Sequence, residues 1–126
     1  MAPFVLVVED DFPVRETTCR FLTDAGYGCG SVGSARAALL AIRTGPRPDV
    51  LVLDVRLPDQ PGTDLALDLE EKHPGIPVVF VSAYTVEVAD FQTLAGVRWQ
   101  FLPKPYTADQ LVTAVSRFAP PTARDP

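Results

Sequence analysis

The chain has 126 residues, 47% of them apolar and 21% charged, and its 16 acidic against 11 basic side chains leave a net charge of −5. That is the length and composition of one globular domain, too short for two separate cores and unlike a disordered or collagenous chain. An acidic chain without a Lys/Arg run has no direct nucleic-acid or anionic-membrane surface, and no stretch approaches the ~20 apolar residues that cross a bilayer. The start lacks a basic signal-peptide region, so a cytoplasmic domain is expected.

Phe4–Val8 opens the pattern with consecutive apolar residues, the signature of a strand buried on both faces in a helix-covered parallel sheet. Val14, Thr18, Phe21, Leu22 and Ala25 then share one face of a helix over 14–25. Residues 27–32 read as a weaker strand whose Gly28 and Gly30 point to an edge or a close approach. An alanine-rich helix over 35–43 turns Leu39 and Ile42 inward, and a second apolar run, 50–53, ends in Asp54. Leu65, Leu67 and Leu69 mark a helix over 64–73, with Lys72 and His73 in its last turn before Pro74. A third run, 78–81, ends in Ser82, and a polar helix follows over 86–95. The last strand, 99–102, runs into Lys104-Pro105. Thr107-x-x-Gln110 is a capping box that opens a helix through Leu111, Val115 and Phe118, stopped by Pro120-Pro121. The βαβαβαβαβα order implies right-handed crossovers and a doubly wound α/β domain over 1–119, with 120–126 as tail or linker stub.

Ligands of such sheets bind at the carboxyl ends of the strands. Glu9, Asp10 and Asp11 follow the first run, Asp54 and Ser82 end the two central ones, and Lys104 follows the last. Carboxylates gathered this way repel one another unless a hard cation joins them, and Mg²⁺ favours one or two carboxylates plus a phosphoryl group. The lysine, one of only two in the chain, adds a movable charge suited to phosphate. The set describes a phosphoryl-acceptor site. A carboxylate is the nucleophile, metal and lysine neutralise phosphoryl oxygens, and the hydroxyl bonds one of them.

Val7-Val8-Glu9-Asp10-Asp11, Leu53-Asp54-Val55-Arg56-Leu57-Pro58, Val81-Ser82-Ala83 and Leu102-Pro103-Lys104-Pro105, in this order, resemble the four signatures of bacterial response-regulator receiver domains. The resemblance implies a (βα)5 flavodoxin-like fold with strand order 2-1-3-4-5. It implies that Asp54 is phosphorylated by a partner histidine kinase or histidine phosphotransfer protein. Asp10 would bind Mg²⁺ directly and Glu9 through water, with Asp54 and the Arg56 carbonyl completing the protein ligands. Ser82 would be the switch hydroxyl and Phe101 the switch aromatic, turning inward behind it. Lys104 would pair with Asp54 and then with phosphate, across a cis bond to Pro105. The output would be a partner protein or a fused domain, reached through the surface of the 86–95 helix, last strand and last helix. A phosphorylation-dependent homodimer is a further option there, with Phe91, Val97 and Trp99 either as an apolar interface or simply as core. Such a domain is a signalling phospho-acceptor, not an enzyme with turnover.

Other readings meet specific obstacles. A flavin-mononucleotide binder of this fold needs a hydroxyl- and glycine-rich loop after the first strand, where Glu9-Asp10-Asp11 would repel an anion. A haloacid-type phosphatase wants a second acid at the position of Arg56. A phosphorylation-independent pseudo-receiver would have lost part of the set, and no part is missing. Asp11 reads as a helix cap, Asp49, Asp59 and Asp64 as turn or capping residues, and Cys19 and Cys29 as small core residues with no metal spacing. Arg56 and Tyr84 occupy the two positions that tune phosphoryl lifetime in the family. Both are large, which predicts slow self-hydrolysis.

Overall fold

The computed structural model describes residues 2–84, 91 and 94–121. In chain order the elements are β1 (Phe4–Val8), α1 (Phe12–Asp24), β2 (Gly28–Val32), α2 (Ala35–Thr44), β3 (Val50–Asp54), α3 (Gly62–Lys72), β4 (Val78–Ser82), β5 (Trp99–Pro103) and α4 (Ala108–Ser116). Most of the helix expected over 86–95 lies outside the described residues. The five strands form one parallel sheet in the order β2-β1-β3-β4-β5.

The apolar runs bury as their composition requires. Every residue of β3 and β4 is buried, and alternate side chains feed two cores on opposite faces of the sheet. Leu6, Leu51, Leu53 and Phe80 pack with Ala38, Ile42, Leu65 and Leu69 of α2 and α3. Val5, Val52, Val79 and Val81 pack with Leu22 of α1 and with Leu111 and Val115 of α4. The glycine-bearing β2 is an edge strand, and the Phe4 ring would meet a Cβ placed on Gly30 at 3.1 Å. The other edge, β5, is only partly buried, since one of its sides has no neighbour among the described residues.

Local chemistry sets the helix starts. Asp11 caps α1 by accepting from the Val14 N–H, so the helix begins at Phe12, two residues earlier than the apolar spacing suggests. Ser34 caps α2 through the Ala37 N–H. Asp59, from the loop after β3, reaches back to accept from the Ala35 and Arg36 N–H groups of the same helix, which lowers its carboxyl pKa. The Thr107/Gln110 box is formed in both directions at the start of α4. Cys19 and Cys29 are half-buried against the margin of a core instead of inside it. The Lys104-Pro105 bond is cis, as the resemblance implied.

Candidate functional site

The register of the parallel strands brings the predicted residues to one rim. Val8 pairs with Leu53, Asp54 with Val81 and Ser82 with Pro103, so the residues just beyond these positions emerge together. The Glu9 N–H donates to the Val32 carbonyl, the Val55 N–H to Val81 and the Lys104 N–H to Ser82, extending the ladder past the strand ends. Glu9, Asp54 and Ser82 are buried, although all three are polar.

Lys104 reaches into this cluster. Its Nζ donates to Asp54 Oδ2 at 2.9 Å and also to Glu9 Oε1. Asp54 Oδ1 accepts from the Arg56 N–H at 2.9 Å, and Glu9 Oε2 from the Asp11 N–H at 3.2 Å. Both oxygens of the Asp54 carboxylate are thereby oriented. Ser82 Oγ accepts from the Tyr84 N–H at 3.1 Å, which holds the hydroxyl beside the cluster but on a separate partner. Among the described residues every buried side-chain nitrogen and oxygen has a hydrogen-bond partner.

Burial dominates the electrostatics at Glu9. Desolvation pushes its carboxyl up to about 7, with the Asp54 charge adding to the rise and the Lys104 hydrogen bond opposing it. For Lys104, burial alone would lower the ammonium, but its bonds to Glu9 and Asp54 outweigh this and raise it. A carboxylate oxygen from each of Glu9, Asp10 and Asp54 lies within 4.8 Å of the others. With all three ionised, one lysine leaves two negative charges in excess. The surplus and the all-oxygen donor set fit a hard divalent cation.

The mouth of the site is large-featured. The exposed Arg56 guanidinium lies 4.1 Å above the Tyr84 ring, which is 59% exposed. On the other side an apolar groove of about 490 Å³ runs beside Lys104, between Val14 and Phe21 of α1 and Ala83, Pro105 and Tyr106. Tyr106 shares a 2.6 Å hydrogen bond with Thr18, tying this loop to α1.

The expected switch aromatic, Phe101, is 36% exposed, with its ring 6.1 Å from that of Phe91. Phe91 stacks on Trp99 at 4.5 Å. Val97, for which an interface and a core place were both open, is buried in a core.

Two contributors were absent from the expectations, and a third was foreseen only as a turn or cap residue. Arg15 donates to the Glu9 carbonyl at 2.8 Å, fixing the loop that carries the acids. Asp59 braces the loop after β3 against α2. Gly62 packs against the backbone of Asp54, where a Cβ would lie 2.2 Å from the carbonyl oxygen.

A family model described as the response regulator receiver domain matches residues 5–116. The chain belongs to that family. The receiver domain is 33% identical over 111 residues to the transcriptional regulator NtrC of Klebsiella pneumoniae, a match covering 88% of this chain and 24% of NtrC. It is 36% identical over 112 residues to the sensor kinase CckA of Brucella abortus, covering 88% of this chain and 12% of CckA. It thus spans a quarter or less of the length of either relative. The chemotaxis protein CheY4 of Vibrio cholerae has the same fold, with a TM-score of 0.84 at 24% identity over 94% of this chain and 99% of that one. Receiver domains are the phospho-accepting modules of two-component systems, and Mg²⁺ at an acidic cluster is typical of them. No helix among the described residues is long and apolar enough to cross a membrane.

Proposed function

We propose that this receiver domain accepts a phosphoryl group on Asp54 from a partner histidine kinase or histidine phosphotransfer protein. The observation that carries the reading is the bridge of Lys104 between Glu9 and Asp54, with Asp10 alongside. An Asp54 oxygen attacks phosphorus, an O–P bond forms, and the P–N bond to the donor histidine breaks with its electron pair leaving on the imidazole. The attack brings a carboxylate onto an anionic group, so its barrier is set by charge, which Lys104 follows onto the phosphoryl oxygens. Glu9, Asp10, Asp54 and the Arg56 carbonyl would hold Mg²⁺, which when bound neutralises phosphoryl charge. The apolar groove beside Lys104 suits docking of the donor protein.

Ser82 exchanges the Tyr84 N–H for a phosphoryl oxygen in the phosphorylated state, and Phe101 turns inward behind it. The change reaches the face of β5 and α4, which acts on an output partner, a fused output domain or a second copy of the domain. The Arg56–Tyr84 stack shields the phosphoryl group from water, and Tyr84→Ala is expected to lose phosphate faster than the parent in an acid-quenched time course.

Intact mass after incubation with acetyl phosphate and Mg²⁺ tests the central step. One phosphoryl adduct is expected, absent without metal and absent in Asp54→Asn. A folded protein that takes up none would make this a phosphorylation-independent interaction domain.

A further inference from the structure

The two cysteines of the chain lie outside the acidic rim. Cys19 is on α1 and Cys29 on β2, the edge strand that α1 covers, and both thiols are free. They share one backbone acceptor, the Gly30 carbonyl oxygen, with Cys29 Sγ at 3.6 Å and Cys19 Sγ at 3.9 Å. Two sulfurs thus reach one backbone oxygen from adjoining elements, one from the helix and one from the strand. Cys19 also lines a surface hollow of about 440 Å³ with Glu16, Arg20, Thr23 and Asp24, so a small solute reaches the residue from outside.

The surroundings make the two thiols unequal. A hydrogen bond from the Cys29 thiol, helped by Ser31 and Arg15, brings Cys19 down to about 7 against burial and the charge of Glu16. The same contact, with burial, pushes Cys29 upward. Near neutral pH Cys19 therefore gives up its proton more readily than its neighbour, and the thiolate it forms is the nucleophile of the pair.

We infer that Cys19 and Cys29 form a peroxide-driven, thiol-reversible disulfide that staples α1 to the edge strand β2. The Cys19 thiolate attacks one oxygen of hydrogen peroxide. The O–O bond breaks, and hydroxide leaves and takes a proton to become water, giving a sulfenic acid on Cys19. The Cys29 sulfur then attacks the Cys19 sulfur. The S–S bond forms as the S–O bond breaks, and the departing hydroxide takes the Cys29 proton. Two thiols lose two electrons and two protons, and one peroxide becomes two waters. In a reducing compartment such a pair is a sensor, not a structural brace. The chemistry does not involve Asp54, so it stands or falls separately from phosphoryl transfer.

The test is intact mass and peptide mapping of the full chain after stoichiometric hydrogen peroxide, followed by maleimide blocking. The expected product is a monomer lighter by two hydrogens and unlabelled by maleimide, with a 19–29 cross-linked peptide that dithiothreitol reverses. Cys29→Ser should instead give a sulfenic acid at Cys19 that dimedone traps. If that variant does not fold, mapping of the parent chain decides alone. Full maleimide labelling of both thiols after peroxide, or cross-linking only between molecules, would overturn the inference.

Discussion

Phe80 and Phe101 are paired in register on neighbouring strands, yet Phe80 is 0% exposed and Phe101 is 36% exposed. Residue type is the same, so position in the sheet decides. β4 has strands on both sides and helices on both faces, whereas β5 closes the sheet. The central strands supply the fixed part of the molecule, with Asp54 and Ser82 at their ends. The edge leaves an aromatic side chain partly in solvent.

The sharpest way to break this comparison is to truncate both rings. Phe80→Ala should cost about 3–5 kcal/mol, the range for losing a buried aromatic side chain. Phe101→Ala should cost about 1 kcal/mol, since much of its surface already faces water. Urea unfolding of the two variants measures both, and equal losses would mean that the edge is as tightly packed as the centre. Next in size is Gly62→Ala. Its methyl group has no room beside the Asp54 carbonyl, so backbone must shift at a cost of about 3 kcal/mol, with slower phosphoryl uptake in the same preparation.

A smaller effect sharpens the electrostatic side. Glu9 rises from its ordinary 4.5 to about 7 because it is buried. In the metal-free protein, ionising Glu9 withdraws stability as the pH climbs through that interval, and the loss is complete above about 7. A divalent cation needs the ionised carboxylate, so it competes with the proton over the same interval. The rise in Tm on adding Mg²⁺ is expected to be larger on the alkaline side of about pH 7 than on the acidic side, and a pH-independent rise would detach Glu9 from metal binding. The smallest effect belongs to the periphery. Thr107→Ala removes one half of the capping box of α4 and should cost about 1 kcal/mol in the same urea assay.

What could be read in advance follows the same division between centre and edge. β1, β3 and β4 were legible because strands buried on both faces need uninterrupted apolar residues. Glu9, Asp54 and Ser82 were legible because each ends or follows such a run, and Lys104 because it follows the last, weaker strand pattern. Capping positions such as Asp11 and Thr107 were equally plain, since their partners lie three residues away. Asp59 was recognisable as a turn or cap residue, but not as a cap for a helix 24 residues earlier. The contacts of Arg15 with the Glu9 carbonyl and of Gly62 with the Asp54 backbone are settled by packing between elements. No local periodicity encodes them. The partial exposure of Phe101 was hidden for a related reason, because an apolar residue in a strand pattern does not say which strand has an open side.

The lysine bridge joins residues 95 positions apart in the chain, and its second arm spans 50. Contacts of such separation close late, after the intervening segments have found their places. A partly folded or nascent chain therefore holds its carboxylates apart from the lysine that bridges them. The site is therefore assembled only once the last strand has docked, and it reports on the folding of the chain up to Lys104.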